Sequence, residues 1–233
     1  MGTIFIGTSA FSEPGWRGGF YPAGLPEQRM LAHYASRLNA VEVNSTLYRM
    51  PTPDGLRAWA EQVPDSFRFA IKAPRRVGLL PGAPLDRLLA VLPALGDRLG
   101  PVLFQTPAFQ PVDAGALEAL LDRLPRALQA VFDFHHPSWQ REPAVERLLR
   151  QAGAARAGQD ADSGEVTAIP GSACVYHRLR RRAFATHAWA SRLRAEAEQG
   201  LDVYAFVKHE ADADSPQRAV ALAQEVARSP AYR

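Results

Sequence analysis

The chain has 233 residues, 47% hydrophobic and 22% charged, with a formal net charge of +3 at pH 7, enough to build one large core and with no linker that favours two domains. Its only cysteine, Cys174, excludes an intrachain disulfide and reads as an inert core thiol in a reducing compartment. There is no run of about 18 apolar residues and no basic segment ahead of the short apolar start, so a soluble cytoplasmic protein without a membrane partner is expected, and so small an excess of positive charge does not by itself argue for nucleic acid.

In chain order, short apolar runs alternate with stretches of helical spacing. Strands are expected at 3–8, 40–44, 67–72, 101–105, 130–134, 154–158, 174–179 and 203–208. Helices are expected at 27–38, 55–62, 85–98, 114–124, 143–151, 189–199 and 217–227. Pro53-Asp54 and Asp113 read as helix starts, Pro143 as a first-turn proline, and Gly100 and Gly200 as stops. The link 159–172 has no helical period and reads as a loop.

Strands that alternate with helices pair in parallel through right-handed crossovers. Repeated along one chain, they predict an α/β protein, a single-domain TIM-type (β/α)8 barrel, with an open doubly wound sheet as the alternative. The first strand is followed by Gly7-Thr8-Ser9-Ala10-Phe11 and not by Gly-x-Gly-x-x-Gly, so no dinucleotide cofactor is expected, nor any other.

The fifth strand runs into Val131-Phe132-Asp133-Phe134-His135-His136-Pro137-Ser138-Trp139. Alternation puts Val131, Asp133 and His135 on one face and Phe132, Phe134 and His136 on the other, so ionisable groups reach the interior at the strand's end. In a barrel, that C-terminal end is where chemistry collects.

Several ordered motifs recur together: Gly7-Thr8-Ser9, Pro14-Gly15-Trp16 with Phe20-Tyr21-Pro22, and Val41-Glu42-Val43-Asn44-Ser45-Thr46 with Tyr48-Arg49 and Pro51. Phe69-Ala70-Ile71-Lys72-Ala73-Pro74, Gly100-Pro101-Val102-Leu103-Phe104-Gln105 and the Val131–Trp139 stretch complete the set. In these the chain resembles the YecE-like family, domain of unknown function 72. The resemblance spans nearly the whole chain and implies a TIM barrel without an agreed activity. The chain departs from the family's usual pattern at Ala10-Phe11, at Asp133 to His136 and at Lys208-His209.

The other strand ends carry Ser9, Glu42 and Asn44 with Tyr48 and Arg49, Lys72, Gln105, Asp160, His177 and Arg178, and Lys208 with His209 and Glu210. Glu42 and Asn44 share one face of the second strand, and an inward carboxylate needs a partner. Lysine is a candidate: of 27 basic residues only Lys72 and Lys208 are lysines, and both fall at C-terminal strand ends. An ammonium differs from a guanidinium in binding phosphate as a point charge and in shifting its pKa when buried. Trp16, Phe20, Tyr21, Tyr48 and Trp139 lie in loops beyond strand ends, where they either stack on a ligand or roof the barrel. The arginines from Arg178 to Arg182 are either an anion site or a solvated patch.

Three function classes follow. The first is a hydrolase or lyase on a phosphorylated or nucleic-acid-derived substrate. In it Glu42, Asp133 and His136 are catalytic, and Asn44, Tyr48, Arg49, Lys72, Gln105, His135, Trp139, Arg178, Lys208 and Trp16 bind substrate. The second is a sugar isomerase or glycosidase-like enzyme using paired carboxylates such as Glu42 and Asp133. The third is a non-catalytic barrel that binds a ligand. The expected partner is a small anionic or sugar-containing ligand. The histidines and carboxylates at the strand ends carry no local metal signature, and no metal is expected.

Overall fold

The computed structural model describes residues 1–79, 81–162 and 164–229. Its elements, in order, are β1 (Ile4–Thr8), α1 (Met30–Ala35), β2 (Ala40–Val43), α2 (Pro53–Ala60), β3 (Arg68–Lys72), α3 (Ala83–Val91), β4 (Leu99–Thr106), α4 (Ala114–Leu121) and β5 (Ala130–Phe134). They continue as α5 (Ser138–Arg141), α6 (Pro143–Ala152), β6 (Ala155–Arg156), β7 (Gly158–Ala161), β8 (Gly164–Val166), β9 (Cys174–Leu179), α7 (Thr186–Glu198), β10 (Asp202–Val207) and α8 (Asp214–Ala227). The result is a mixed α/β architecture around a curled, mostly parallel sheet of ten strands, in the order β6-β5-β4-β3-β2-β1-β10-β9-β7-β8.

The two sides of this ladder meet in the sequence. β6 pairs with β5, β7 pairs with β9, and only Ala157 separates them. The Ala157 amide still donates to Phe132 O at 2.8 Å. The expected sixth strand is therefore split between two neighbours.

Period-two alternation sorts the side chains into two layers. Ile4, Ile6, Val41, Val43, Phe69, Ile71, Val102, Phe104, Phe132, Phe134, Val203 and Val207 join the helices in one apolar cluster. Phe5, Ala40, Ala70, Leu103, Val131, Ala155, Tyr176, Tyr204 and Phe206 form a second cluster on the opposite face. Two residues further along that second face come Glu42, Lys72, Gln105, Asp133 and Arg178, so the same alternation that packs the inner layer sets out the polar one above it. Close packing of β1 on β2 also explains a glycine: a Cβ on Gly7 would fall 1.8 Å from the Ala40 carbonyl oxygen.

Several element ends differ from the sequence-based expectation. The α2 cap is Thr52, whose hydroxyl accepts from Gly55 N at 3.1 Å, and Pro53-Asp54 lies inside the first turn. Asp113 caps α4 as expected, accepting from Ala116 N at 2.9 Å, and Pro143 begins α6. The helix expected at 85–98 breaks into α3 and a 3-10 segment, Leu92–Arg98, because Pro93 offers no amide hydrogen. The stop there is Gly96, with φ of 54°, while Gly100 lies within β4. Gly200, with φ of 89°, ends α7. The 159–172 link, in which Ser163 lies outside the described residues, is not all loop: Gln159 and Asp160 extend β7 along β9 and pair antiparallel with β8. Gly, Gln and Asp are weak strand formers, so tertiary pairing rather than propensity makes β7.

Candidate functional site

The inner face of the sheet ends in a buried charge cluster centred on Arg178. Its guanidinium donates to Asp133 Oδ2 at 2.5 Å and to Glu42 Oε1 at 3.0 Å, joining β9 to β5 and β2. Both carboxylates are 0% exposed. Glu42 also accepts from the Tyr176 hydroxyl at 2.7 Å, with Lys72 Nζ at 3.9 Å. Asp133 also accepts from Gln105 Nε2 at 2.5 Å and from Gln159 Nε2, and its Oδ2 lies 3.0 Å from His135 Nε2. Pairing each buried carboxylate with a guanidinium and further donors is what makes so many buried charges tolerable.

The electrostatics follow from those contacts. Burial alone would raise Glu42, but the charges of Arg178 and Lys72 and the Tyr176 hydrogen bond hold its carboxyl below the usual range. Burial likewise opposes ionisation of Asp133, and Arg178, His135 and Gln105 overcome it and keep it well below the usual range. Burial works against the Arg178 charge too, yet Glu42 and Asp133 push its pKa up. Lys72 differs: burial pulls its ammonium down to about 8, with Glu42 opposing and Arg178 adding to the effect. Tyr176 is raised well above its ordinary value by burial and by the Glu42 charge.

Glu42 and Asp133 are thus weak bases, each already engaged by Arg178 and at least one further donor. Their geometry suits them to hold Arg178 in place rather than to take a proton from a substrate.

Above the cluster opens a cleft of about 520 Å³. Lys72, Arg178, Gln105 and His135 face it from the strands, with Asn44, Tyr48, Arg75, Arg180, Lys208 and His209 from the loops beyond. Five of its lining residues are lysine or arginine, and Glu13 is the one carboxylate among them. Lys72 Nζ makes no hydrogen bond among the described residues, and neither does the Arg180 side chain, whose pKa is lowered by burial and by Arg178. Lys208 is partly exposed and pairs with Glu210 at 3.1 Å. The Arg75 guanidinium lies 5.0 Å from the centre of the exposed Tyr48 ring. Ser9 Oγ lies 3.0 Å from His209 Nδ1, and the Asn44 amide donates to the Ser9 carbonyl, fixing the rim of β1 and β2.

Four residues expected at the site lie elsewhere. His136 lies beyond the end of β5 and lines a separate groove with Val112, Ser138 and Arg141. Its Nδ1 accepts from Ser138 N at 3.2 Å and lies 2.8 Å from Ser138 Oγ, so it stabilises the turn into α5. Trp16 and Trp139 are fully buried and offer no open face to a ligand. Trp16 donates to Glu210 O at 3.0 Å, while Trp139 donates to Gln110 O at 3.0 Å and stacks on Phe134 at 4.4 Å. Both are roof, because an indole has more apolar surface to bury than polar edge to satisfy. Arg49 lines a neighbouring groove with Met50, Arg76 and Arg87.

Three participants carried little signal in the sequence. Tyr176 reads as an ordinary core aromatic. Gln159 sits in a stretch with no strand pattern, and Arg180 is one of a run of arginines; it lies one residue past β9 and lines the cleft. Among the described residues no group of three or more His, Cys, Asp or Glu side chains is arranged to hold a metal ion, and no helix is long and apolar enough to cross a membrane.

A curled, largely parallel sheet with a polar cleft beyond the C-terminal strand ends defines an α/β protein whose cleft is bordered by loops on a rigid frame. The chain matches the family described as "Protein of unknown function DUF72" over residues 5–232 and belongs to that family. It is 31% identical over 163 residues to the UPF0759 protein YecE of Escherichia coli K12, a match covering 66% of this chain and 57% of that protein. The matched region thus spans little more than half the length of that curated relative. Among solved structures, a DUF72 family protein from Thermotoga maritima superposes with a TM-score of 0.78 at 22% identity, covering 95% of this chain and 98% of that one. Another, from Enterococcus faecalis, gives 0.78 at 14% identity over 96% and 97%. At these identities the structures speak to the fold alone.

Proposed function

We propose that the cleft is the substrate site of a hydrolase or lyase that takes a small anionic molecule bearing a phosphate or carboxylate. The observation that carries this reading is the charge of the lining: Lys72, Arg75, Arg178, Arg180 and Lys208 line one cleft in which Glu13 is the single carboxylate. A purely structural cluster would leave its charges paired with one another. Lys72 and Arg180 keep donors available, and a partly desolvated cation at the base of a cleft binds an anion more strongly than one on open surface.

His135 is the acid–base group of this reading. Its Nε2 is 3.0 Å from Asp133, its Nδ1 makes no hydrogen bond among the described residues, and it lines the cleft. The Asp133 carboxylate fixes the orientation of the imidazole and leaves its other nitrogen to the cleft. The sugar-directed alternative is less well supported, because Glu42 and Asp133 both accept from one guanidinium and neither is available as a proton donor. We also read the sheet as a complete (β/α)8 barrel in one domain, since a single residue separates the segments that pair with β5 and with β9.

The test is a thermal-shift screen of the parent, Arg180→Ala and His135→Ala against phosphate, sugar phosphates, nucleotides, 2-oxo acids and neutral sugars. Anions should raise the parent's melting temperature and raise that of Arg180→Ala less. A response to neutral sugars alone, or an equal response in parent and Arg180→Ala, would refute the reading.

A further inference from the structure

Lys72 is the last residue of β3, on the inner face, with its stem packed in the sheet and its Nζ toward the cleft. Its nearest charged contact is Glu42 Oε1 at 3.9 Å, beyond hydrogen-bond distance. Arg178, on the facing strand β9, donates to the same Glu42 oxygen and to Asp133. Asp133 and His135 approach from β5, Gln105 from β4, and Arg180 from the end of β9. This chain uses arginine for nearly every other basic position, yet keeps an amine here. A guanidinium would supply the same charge to an anion site, but it stays protonated and is not a nucleophile, whereas a buried amine beside another cation is the usual arrangement for carbonyl chemistry.

Resting on the anion-binding reading above, we propose that Lys72 Nζ forms an imine with an aldehyde or ketone substrate whose anionic group is held by Arg180 and Lys208 in the same cleft. The free amine's lone pair adds to the carbonyl carbon, and one N–H proton passes to the former carbonyl oxygen, giving a carbinolamine. The hydroxyl takes up a second proton and leaves as water, and the nitrogen lone pair forms the C=N bond. His135, on the wall of the cleft, is the group that delivers that proton. One water is released, and no oxidant or reductant is consumed. The protonated imine withdraws electrons from the adjacent carbon, the step on which a lyase cleaving a carbon–carbon bond depends. Burial prepares the amine: with its ammonium drawn down to about 8, half of Lys72 is unprotonated near that pH. A lysine with the ordinary pKa of about 10.4 is under about 1% free amine there.

The chain makes the test unusually clean, because its primary amines are Lys72, Lys208 and the α-amino group of Met1. The full chain is incubated at pH 8 with pyruvate, glyoxylate, glyceraldehyde 3-phosphate or neutral acetaldehyde, reduced with borohydride, and the modified residue mapped by peptide mass. At least one anionic carbonyl should label Lys72 at least about tenfold faster than Lys208 or Met1, with phosphate slowing the reaction and acetaldehyde showing less preference. Lys72→Arg should lose the label, and mapping on the parent does not depend on that variant folding. If Lys72 stays unlabelled, or reacts no faster than Lys208, while phosphate still raises the parent's melting temperature, the imine is refuted and the anion site stands. If phosphate has no effect on melting either, both fall.

Discussion

Removing the Arg178 charge is the most informative perturbation of the core. Arg178→Met preserves much of the side-chain volume but leaves Glu42 and Asp133 buried without the guanidinium that both accept from. Asp133 would retain Gln105, Gln159 and His135, and Glu42 would retain Tyr176 and Lys72. Breaking a buried pair costs about 3–5 kcal/mol, and the remaining partners argue for that range rather than for complete unfolding. For a chain of this size the loss corresponds to a fall of roughly 6–20 °C in melting temperature. The pH dependence supplies an independent check. In the parent, Glu42 and Asp133 titrate below their unfolded values, so their contribution is present above about pH 4 and is lost as pH falls through the folded pKa values. In Arg178→Met, burial is no longer opposed by the guanidinium and the folded carboxyls titrate higher. The folded state then binds protons more readily than the unfolded chain, and the deficit shrinks as pH is lowered from 7.5 to 5.5. Urea unfolding followed by circular dichroism at both pH values measures this. A deficit under about 1 kcal/mol at pH 7.5, or one that does not narrow at pH 5.5, would refute the cluster as described.

Tyr176→Phe should cost about 1.5–3 kcal/mol in urea unfolding, since it removes a hydrogen bond to the buried carboxylate of Glu42; an unchanged midpoint would contradict that. Lys72 titrates lower in the folded chain than when unfolded, so the unfolded state binds the extra proton and parental stability should rise between about pH 8 and 10.4 relative to Lys72→Met. Parallel stability curves over that window would count against its burial. Gly7→Ala forces a Cβ into the Ala40 carbonyl and should cost more than about 3 kcal/mol or prevent folding; a soluble variant with parental melting would contradict the close approach of β1 and β2.

Much of this architecture was legible because strands and helices leave periodic traces. Alternation alone located Glu42 and Asn44 on one face and separated Asp133 from Phe132 and Phe134. It also separated His136 from Asp133, and His136 lines a groove other than the one His135 faces. The burial of Trp16 and Trp139 had no comparable trace, since a loop indole that roofs a core and one that stacks on a ligand have the same local sequence. β7 was hidden for a different reason: Gly158, Gln159 and Asp160 become strand only through β9, and with them Gln159's hydrogen bond to Asp133 went unseen. The rarity of lysine pointed to two positions whose environments differ. Lys72 lies at the base of the cleft beside Glu42, whereas Lys208 is at the rim, partly exposed and paired with Glu210. A composition count cannot distinguish them, because burial is a property of the assembled sheet.

The central claim is that the cleft binds an anion through the cations that line it. Isothermal titration of inorganic phosphate into the parent and into Arg180→Ala, at low and at high sodium chloride, tests it most directly. The account predicts one phosphate per chain, weaker binding at high salt as screening grows, and a loss of about tenfold or more in affinity for Arg180→Ala. Absence of binding by the parent at low salt, or equal affinity in the two proteins, would contradict it.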